Sequence, residues 1–464
     1  MARLLADPLE TDGLKGLAAR LRSGATTAER VLDAYLQRIR SLDGALVAYE
    51  HVDEAAARRS ARAVDALLAA GTDLGPLMGV PVALKDVIAV EGMPTRAGSN
   101  LDVTDLIGPE GGFVRRLRQA GCVLVGKTHT VEFAIGSSGT NYHRGTPRNP
   151  WDARTFRVTS GSSSGSAVAV VAGLCGLAIG TDTGGSVRGP AAFCGAFGFK
   201  AGTGVWPMDG IFPMSRSLDS LGFLTVCAED ARLAWHALTG QPMEPRADVR
   251  DLRLGRPRDF MFDGLDDDVT RCMDAALSAL SAAGARIVEV DLPEIAESNT
   301  VFQYISRPEV VATFGRQRVL DSQARMNPDV ADRIAGGLDV PCDQYIRALW
   351  RQQELIAKAR TRFAGLDAWV SPTKQRVPPP YPGGFVSVEA DRELVARCAG
   401  PTRPANVLGL CATSQPVQMY GSALPVGLQL MCPGGGEGRL LAVAAACERV
   451  FGAPPRPDVE AFAA

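Results

Sequence analysis

Short β-rich runs alternating with helical stretches are what most limit how this chain can fold. Pro81-Val82-Ala83-Leu84 and Cys122-Val123-Leu124-Val125 read as strands, with Gly112 to Ala120 helical between them. Leu177-Ala178-Ile179-Gly180, Arg286-Ile287-Val288-Glu289-Val290 and Ala368-Trp369-Val370 also read as strands. Such alternation predicts a layered α/β fold with a central, largely parallel sheet. The first 75 residues read as helical. Thr26-Thr27-Ala28-Glu29 has the form of a capping box, and Val31, Leu32, Tyr35, Leu36 and Ile39 follow at helical spacing. A second amphipathic helix is predicted from about Asp53 to Ala70, stopped by Gly71. The segment from about 294 to 365 is helical without strand signal, and the run Val377-Pro378-Pro379-Pro380-Tyr381-Pro382 reads as an extended loop. With no internal repeat, residues 1–464 are read as one domain, with a helical region over about 1–75 and a helical cover over about 294–365.

Composition excludes several function classes. A net charge of −2 leaves no electrostatic footprint for nucleic acid. The longest apolar run, Ala167 to Gly180, is too short to span a bilayer, and Met1 to Glu10 has no apolar signal-peptide core. No two of the ten cysteines form a CxxC, and several lie in apolar runs, so buried reduced thiols are expected rather than disulfides or zinc. No metal-spaced group of ligands appears, and neither metal nor cofactor is expected. These features predict a cytoplasmic protein away from the membrane.

The chemistry-bearing residues cluster in three places. Lys85 lies in the apolar run Gly79-Val80-Pro81-Val82-Ala83-Leu84-Lys85. Two serine clusters follow, Ser160-Gly161-Ser162-Ser163-Ser164-Gly165-Ser166 and Gly180-Thr181-Asp182-Thr183-Gly184-Gly185-Ser186-Val187-Arg188. A serine that attacks a carbonyl needs a base and N–H donors for the oxyanion. The four histidines, His51, His129, His143 and His236, all lie away from the serine clusters. A lysine buried among Val and Leu can be the base instead, because burial disfavours its charged form. Keeping it neutral near pH 7 costs about 4–5 kcal/mol relative to a solvated lysine. The adjacent Asp86 opposes this unless its side chain takes the other face of the strand.

Ser186 is the candidate nucleophile. In Thr183-Gly184-Gly185-Ser186 the missing side chains let successive backbone N–H groups converge, the composition that a main-chain oxyanion hole requires. Ser162 lies 24 residues upstream, room for one helix and one strand to return both serines to one sheet edge. Asp182 is a supporting candidate or a cap for the nucleophile loop. Arg188 is read as an ion-pair anchor for that loop rather than a substrate ligand. His129 and His143 are expected to be structural.

The stretch from Gly161 to Gly198 resembles the amidase signature of C–N hydrolases. Flanking pieces agree, among them Gly126-Lys127-Thr128, Asn141, Asn149-Pro150, Ser217-Leu218-Asp219, Ser371-Pro372-Thr373, Asn406-Val407-Leu408-Gly409 and Leu424-Pro425-Val426-Gly427-Leu428-Gln429. The resemblance covers roughly residues 10 to 452. It implies the amidase-signature fold, a mixed, largely parallel twisted sheet covered by helices on both faces. It also implies a Ser–cis-Ser–Lys catalytic unit of Ser186, Ser162 and Lys85, supported by Ser163, with a cis peptide at Gly161–Ser162. Ser160 and Ser164 stand where the family usually has glycine, and Leu410-Cys411-Ala412-Thr413-Ser414-Gln415-Pro416 replaces a more apolar strand.

The activity implied is hydrolysis of a small-molecule amide, aryl amide or carbamate (urethane) through an acyl-enzyme, with esterase activity an allowed extension and a homodimer an allowed assembly. A rival within the resemblance is the glutaminase subunit of a tRNA-dependent amidotransferase. A rival of another class is a phosphate- or nucleotide-binding module, but neither cluster has the lysine of a P-loop. Finally, Phe302, Tyr304, Phe314, Tyr345 and Trp350 concentrate in the helical cover. They read either as core contacts that hold the cover down or as a pocket wall. As a wall they predict a preference for neutral, hydrophobic amides or aryl carbamates over small charged ones such as malonamate or glutamine.

Overall fold

The computed structural model describes residues 4–463 apart from 259; residues 1–3 of the stretch read for a signal peptide lie outside it. Its frame is one sheet of eleven strands: β1 (Tyr49–Val52), β2 (Pro81–Lys85), β3 (Val123–Thr128), β4 (Leu177–Thr181), β5 (Phe197–Lys200), β6 (Leu221–Thr225), β7 (Arg253–Pro257), β8 (Arg286–Val290), β9 (Ala368–Pro372), β10 (Leu410–Pro416) and β11 (Gly427–Pro433). The spatial order is β1-β3-β2-β4-β6-β5-β10-β11-β9-β7-β8. Every side chain of β2, β4, β6 and β10 is buried. Successive strand residues face opposite sides, so these strands are covered on both faces. The outer strands β1 and β8 are half exposed.

The sheet is mixed, as expected, but parallel pairing does not dominate. Only β2 with β3 and β4, and β7 with β8 and β9, run parallel. The other six adjacencies are antiparallel. The excess comes from β1, β5, β6, β10 and β11, whose pairing the alternation of strand-like and helical runs does not reveal. In β1, Tyr-Glu-His-Val is too short and too polar to show a period, so the first 75 residues contain a strand between their helices.

The helices follow their sequence signals closely. Ala28–Leu46 buries Val31, Leu32, Tyr35, Leu36 and Ile39, and Val47 ends it in the left-handed region (φ 56°). Its cap is Thr27, whose hydroxyl accepts from the Arg30 N–H, so the expected box is displaced by one residue and lacks its reciprocal carboxylate. Glu54–Ala69 is capped by Asp53, and Gly71 (φ 80°) turns the chain away. The cover consists of the helices Ser298–Phe314, Arg316–Ser322, Pro328–Ala335 and Cys342–Thr361. No helix among the described residues is long and apolar enough to cross a membrane.

Candidate active site

Neighbouring parallel strands carry the first two elements of the site. Lys85 ends β2 and Thr181 ends β4, which pairs with β2 in the register Leu84↔Ile179. Ligand sites in α/β sheets favour this edge, beyond the carboxyl ends of parallel strands. Lys85 Nζ is hydrogen-bonded to Ser162 Oγ at 2.6 Å and to Thr181 Oγ1 at 2.8 Å. The lysine is fully buried, and burial pushes its amine down to about 7 against the opposing pull of Asp182 and Asp219. Asp86 plays no part in this, because it faces Lys127 Nζ at 3.1 Å and accepts from the Arg96 N–H.

Ser162 precedes the helix Ser164–Val171, every residue of which is buried. The helix begins against other backbone, and a Cβ on Gly165 would lie 2.2 Å from the Ala48 carbonyl oxygen. The Gly161–Ser162 peptide is cis. Of the two serines in place of glycine, Ser160 has φ 60° and donates its hydroxyl to the Ser137 carbonyl. Ser164 sits in the helix with an ordinary backbone, so only one of the two meets the left-handed region.

The loop after β4 returns Ser186 to the same place. The Ser163 N–H donates to the Ser186 carbonyl at 3.1 Å, tying the two serine loops together, and Ser163 Oγ donates to the Thr181 carbonyl. Ser186 is half-buried and lines a cavity of about 210 Å³ with Thr183, Gly184 and Gly185. Side chains are excluded at both glycines. A Cβ on Gly184 would meet the Phe302 ring at 2.8 Å, and one on Gly185 (φ 121°) would meet Thr402 Oγ1 at 2.1 Å.

Asp182 shapes this loop from inside. Its carboxylate accepts from the N–H groups of Gly185, Val187 and Arg188 and pairs with the Arg188 guanidinium at 2.9 Å. Burial would raise its carboxyl, but Arg188, Lys200 and Asn406 hold it below the usual carboxylate range. Arg188 also donates to the Thr402 carbonyl, Gln429 Oε1 and Asn406 Oδ1, so it anchors the loop and its donors are committed. The four-donor oxyanion set is corrected at Gly185, whose N–H points to Asp182 Oδ1 at 2.8 Å. Among the described residues, the N–H groups of Thr183, Gly184 and Ser186 have no protein acceptor.

Several site residues were not assigned from the sequence. Thr181 orients Lys85, and Asp219 accepts from Thr183 Oγ1 at 2.5 Å. Burial raises Asp219 to about 7, the same range as Lys85. Asn406 donates to the Asp182 carbonyl and carboxylate. The signal for Asp219, Asn406 and Gln429 is present in the flanking motif pieces, but the site residues they bond, Thr183, Asp182 and Arg188, lie 36, 224 and 241 residues away in the chain. His129 is buried beside Glu50, held down at about 4 by burial, and neither it nor His143 lines the cavity.

The aromatic wall does not form. Only Phe302 lines the cavity. Phe314 packs on Phe133 and Phe212 in the core, and the Tyr345 hydroxyl donates to Glu309. Tyr304 is 38% exposed and Trp350 66%. Helical periodicity places these rings on different faces, which clustering along the sequence cannot show.

Similar solved structures define the class as amide hydrolases. An amidase crystal structure superposes with TM-score 0.83 at 32% identity, covering 95% of this chain and all of that one. The peptide amidase of Stenotrophomonas maltophilia gives 0.80 at 29% identity, covering 98% and 100%. The amidase family profile matches residues 30–441, and the chain belongs to the amidase signature family, enzymes that hydrolyse carbon–nitrogen bonds. Among its relatives is a 2-amino-5-chloromuconic acid deaminase of Comamonas testosteroni, 38% identical over 94% of this chain and 95% of that protein. Another relative, from Salinispora arenicola, is one of the subunits of glutamyl-tRNA(Gln) amidotransferase, 34% identical over 95% and 96%.

Proposed function

We propose that this enzyme cleaves the C–N bond of a small amide-type molecule through an acyl-enzyme on Ser186, with Ser162 and Lys85 as the proton relay. The observation that carries the reading is the fully buried Lys85 amine, brought to about 7 and hydrogen-bonded to Ser162 at 2.6 Å. Neutral Lys85 takes the Ser162 proton as Ser162 takes that of Ser186, and Ser186 Oγ attacks the carbonyl carbon. The N–H groups of Thr183, Gly184 and Ser186, which have no protein acceptor among the described residues and belong to residues lining the cavity, are the candidate oxyanion donors. Protons return through Ser162 to the leaving nitrogen, the C–N bond breaks, and water releases the acyl group by the same relay. Thr181 holds the lysine, while Asp182 and Arg188 hold the donor loop.

A fluorophosphonate tests this directly. It should label Ser186, Ser186→Ala should abolish labelling and turnover with the fold intact, and labelling of another serine in the intact enzyme would overturn the assignment. The deaminase relative favours release of ammonia from a small molecule. The amidotransferase relatives favour a second reading, glutaminase action within a complex. Glutamine turnover that requires a co-purifying polypeptide would select the second.

A further inference from the structure

The cavity at Ser186 is lined by four cationic side chains, Arg307, Arg333, Lys374 and Arg403, and by no aspartate or glutamate. Three of them have protein partners. Lys374 donates to the Cys398 carbonyl, and Arg333 has Asp329 at 3.8 Å, although its buried Nε has no partner. Neither Lys374 nor the other two has a carboxylate within ion-pair reach among the described residues. Arg403 lies over the Phe302 ring at 4.7 Å and donates only to Asn299 Oδ1. Arg307 has no hydrogen-bonded or ionic partner there and is exposed, so it stands where the cavity opens to solvent.

These guanidiniums also feel one another. Burial lowers Arg403 to about 10, and Arg333 and Arg307 press it the same way. Arg333 and Arg403 are half-buried beside the exposed Arg307, and like charges gathered where water is partly excluded cost free energy unless an anion joins them. Guanidiniums suit a carboxylate because their planar N–H pairs match its two oxygens. Phe302 packs beneath Arg403 and blocks any side chain at Gly184, so the same ring contacts the cation and the donor loop.

We infer that the substrate carries a carboxylate, seated on Arg403 and Arg307 with Arg333 behind, while its amide carbonyl reaches Ser186. This rests on the proposed hydrolytic reading and narrows it to small ω-carboxy amides, reversing the preference expected from an aromatic wall. A cavity of about 210 Å³ suits a short chain, since it lies below the range of drug-sized pockets.

Binding and turnover separate the two claims. On the Ser186→Ala protein, calorimetry compares succinamic, glutaramic and adipamic acids with butanamide, pentanamide and hexanamide. At least one acid should bind tenfold or more tightly than the alkanamide of its length, and rising chloride should weaken the acid alone. Arg403→Gln and Arg307→Gln should each erode that discrimination, and the double variant should abolish it. Arg307→Gln is the safeguard against misfolding, because that side chain is exposed and unpartnered. Equal binding of acids and alkanamides, or acid preference that survives the double variant, overturns the inference. Ammonia release by the intact enzyme tests the hydrolytic reading by itself. Tight acid binding without turnover of any acid would keep the anion site and count against the acyl-enzyme.

Discussion

The floor of the site and its wall are built on opposite terms. On the floor, Lys85, Ser162, Asp182 and Arg188 are fully buried, and their partners come from the end of β4, the two serine loops, Thr402, Asn406 and Gln429 of β11. On the wall, the helices Ser298–Phe314 and Pro328–Ala335 present Arg307 and Arg333, and Arg403 joins them from the C-terminal part, with few partners between them. A saturated network holds one geometry, whereas unpaired cations wait for a ligand. On the proposed reading, the floor would perform the reaction and the wall would select the molecule.

The comparison breaks most visibly at Lys85. Lys85→Ala should lower kcat/KM on the order of 10²–10⁴-fold, and Lys85→Arg should not restore it because guanidinium stays protonated. Burial disfavours the charged amine, so activity of the intact enzyme should rise with pH through about 7 as Lys85 loses its proton. A near-normal rate and pH profile in Lys85→Ala would remove the base from the floor.

Next in size is the support beneath the nucleophile loop. Asp182→Ala leaves the buried Arg188 without its carboxylate and should cost about 3–5 kcal/mol in urea unfolding. A loss below about 1 kcal/mol, the value of an exposed pair, would show that the floor is not the saturated network described.

A smaller effect sharpens the electrostatics. Asp219 raises the Lys85 amine and titrates in the same range, so the pH profile belongs to the pair. Asp219→Asn should move the apparent pKa of kcat/KM downward, by about one unit or less, because charged lysine loses a counter-charge. An upward or absent shift would separate the two groups. Smallest of all, Trp350→Ala should change stability by no more than about 0.5 kcal/mol and kcat/KM by less than about twofold, since the ring is two-thirds exposed and off the cavity. A tenfold loss would return the cover's aromatics to the pocket wall.

Local chemistry makes part of this molecule legible in its residues alone. The apolar run ending at Lys85, the two glycine-rich serine loops and the helices Ala28–Leu46 and Glu54–Ala69 all announce themselves, because burial, turn freedom and helical period act over a few neighbouring residues. The family's flanking motifs also marked Asp219, Asn406 and Gln429, though not what they touch. Three things needed the tertiary structure: the antiparallel majority of the sheet, the diversion of the Gly185 N–H to Asp182, and the wall of arginines. Each depends on pairing between distant segments. Strand direction is set by which partners meet, and a donor's target by which acceptor arrives. The charge of a cavity is set by which helix faces turn inward, and five aromatics crowded into one stretch scattered to four environments while the arginines met.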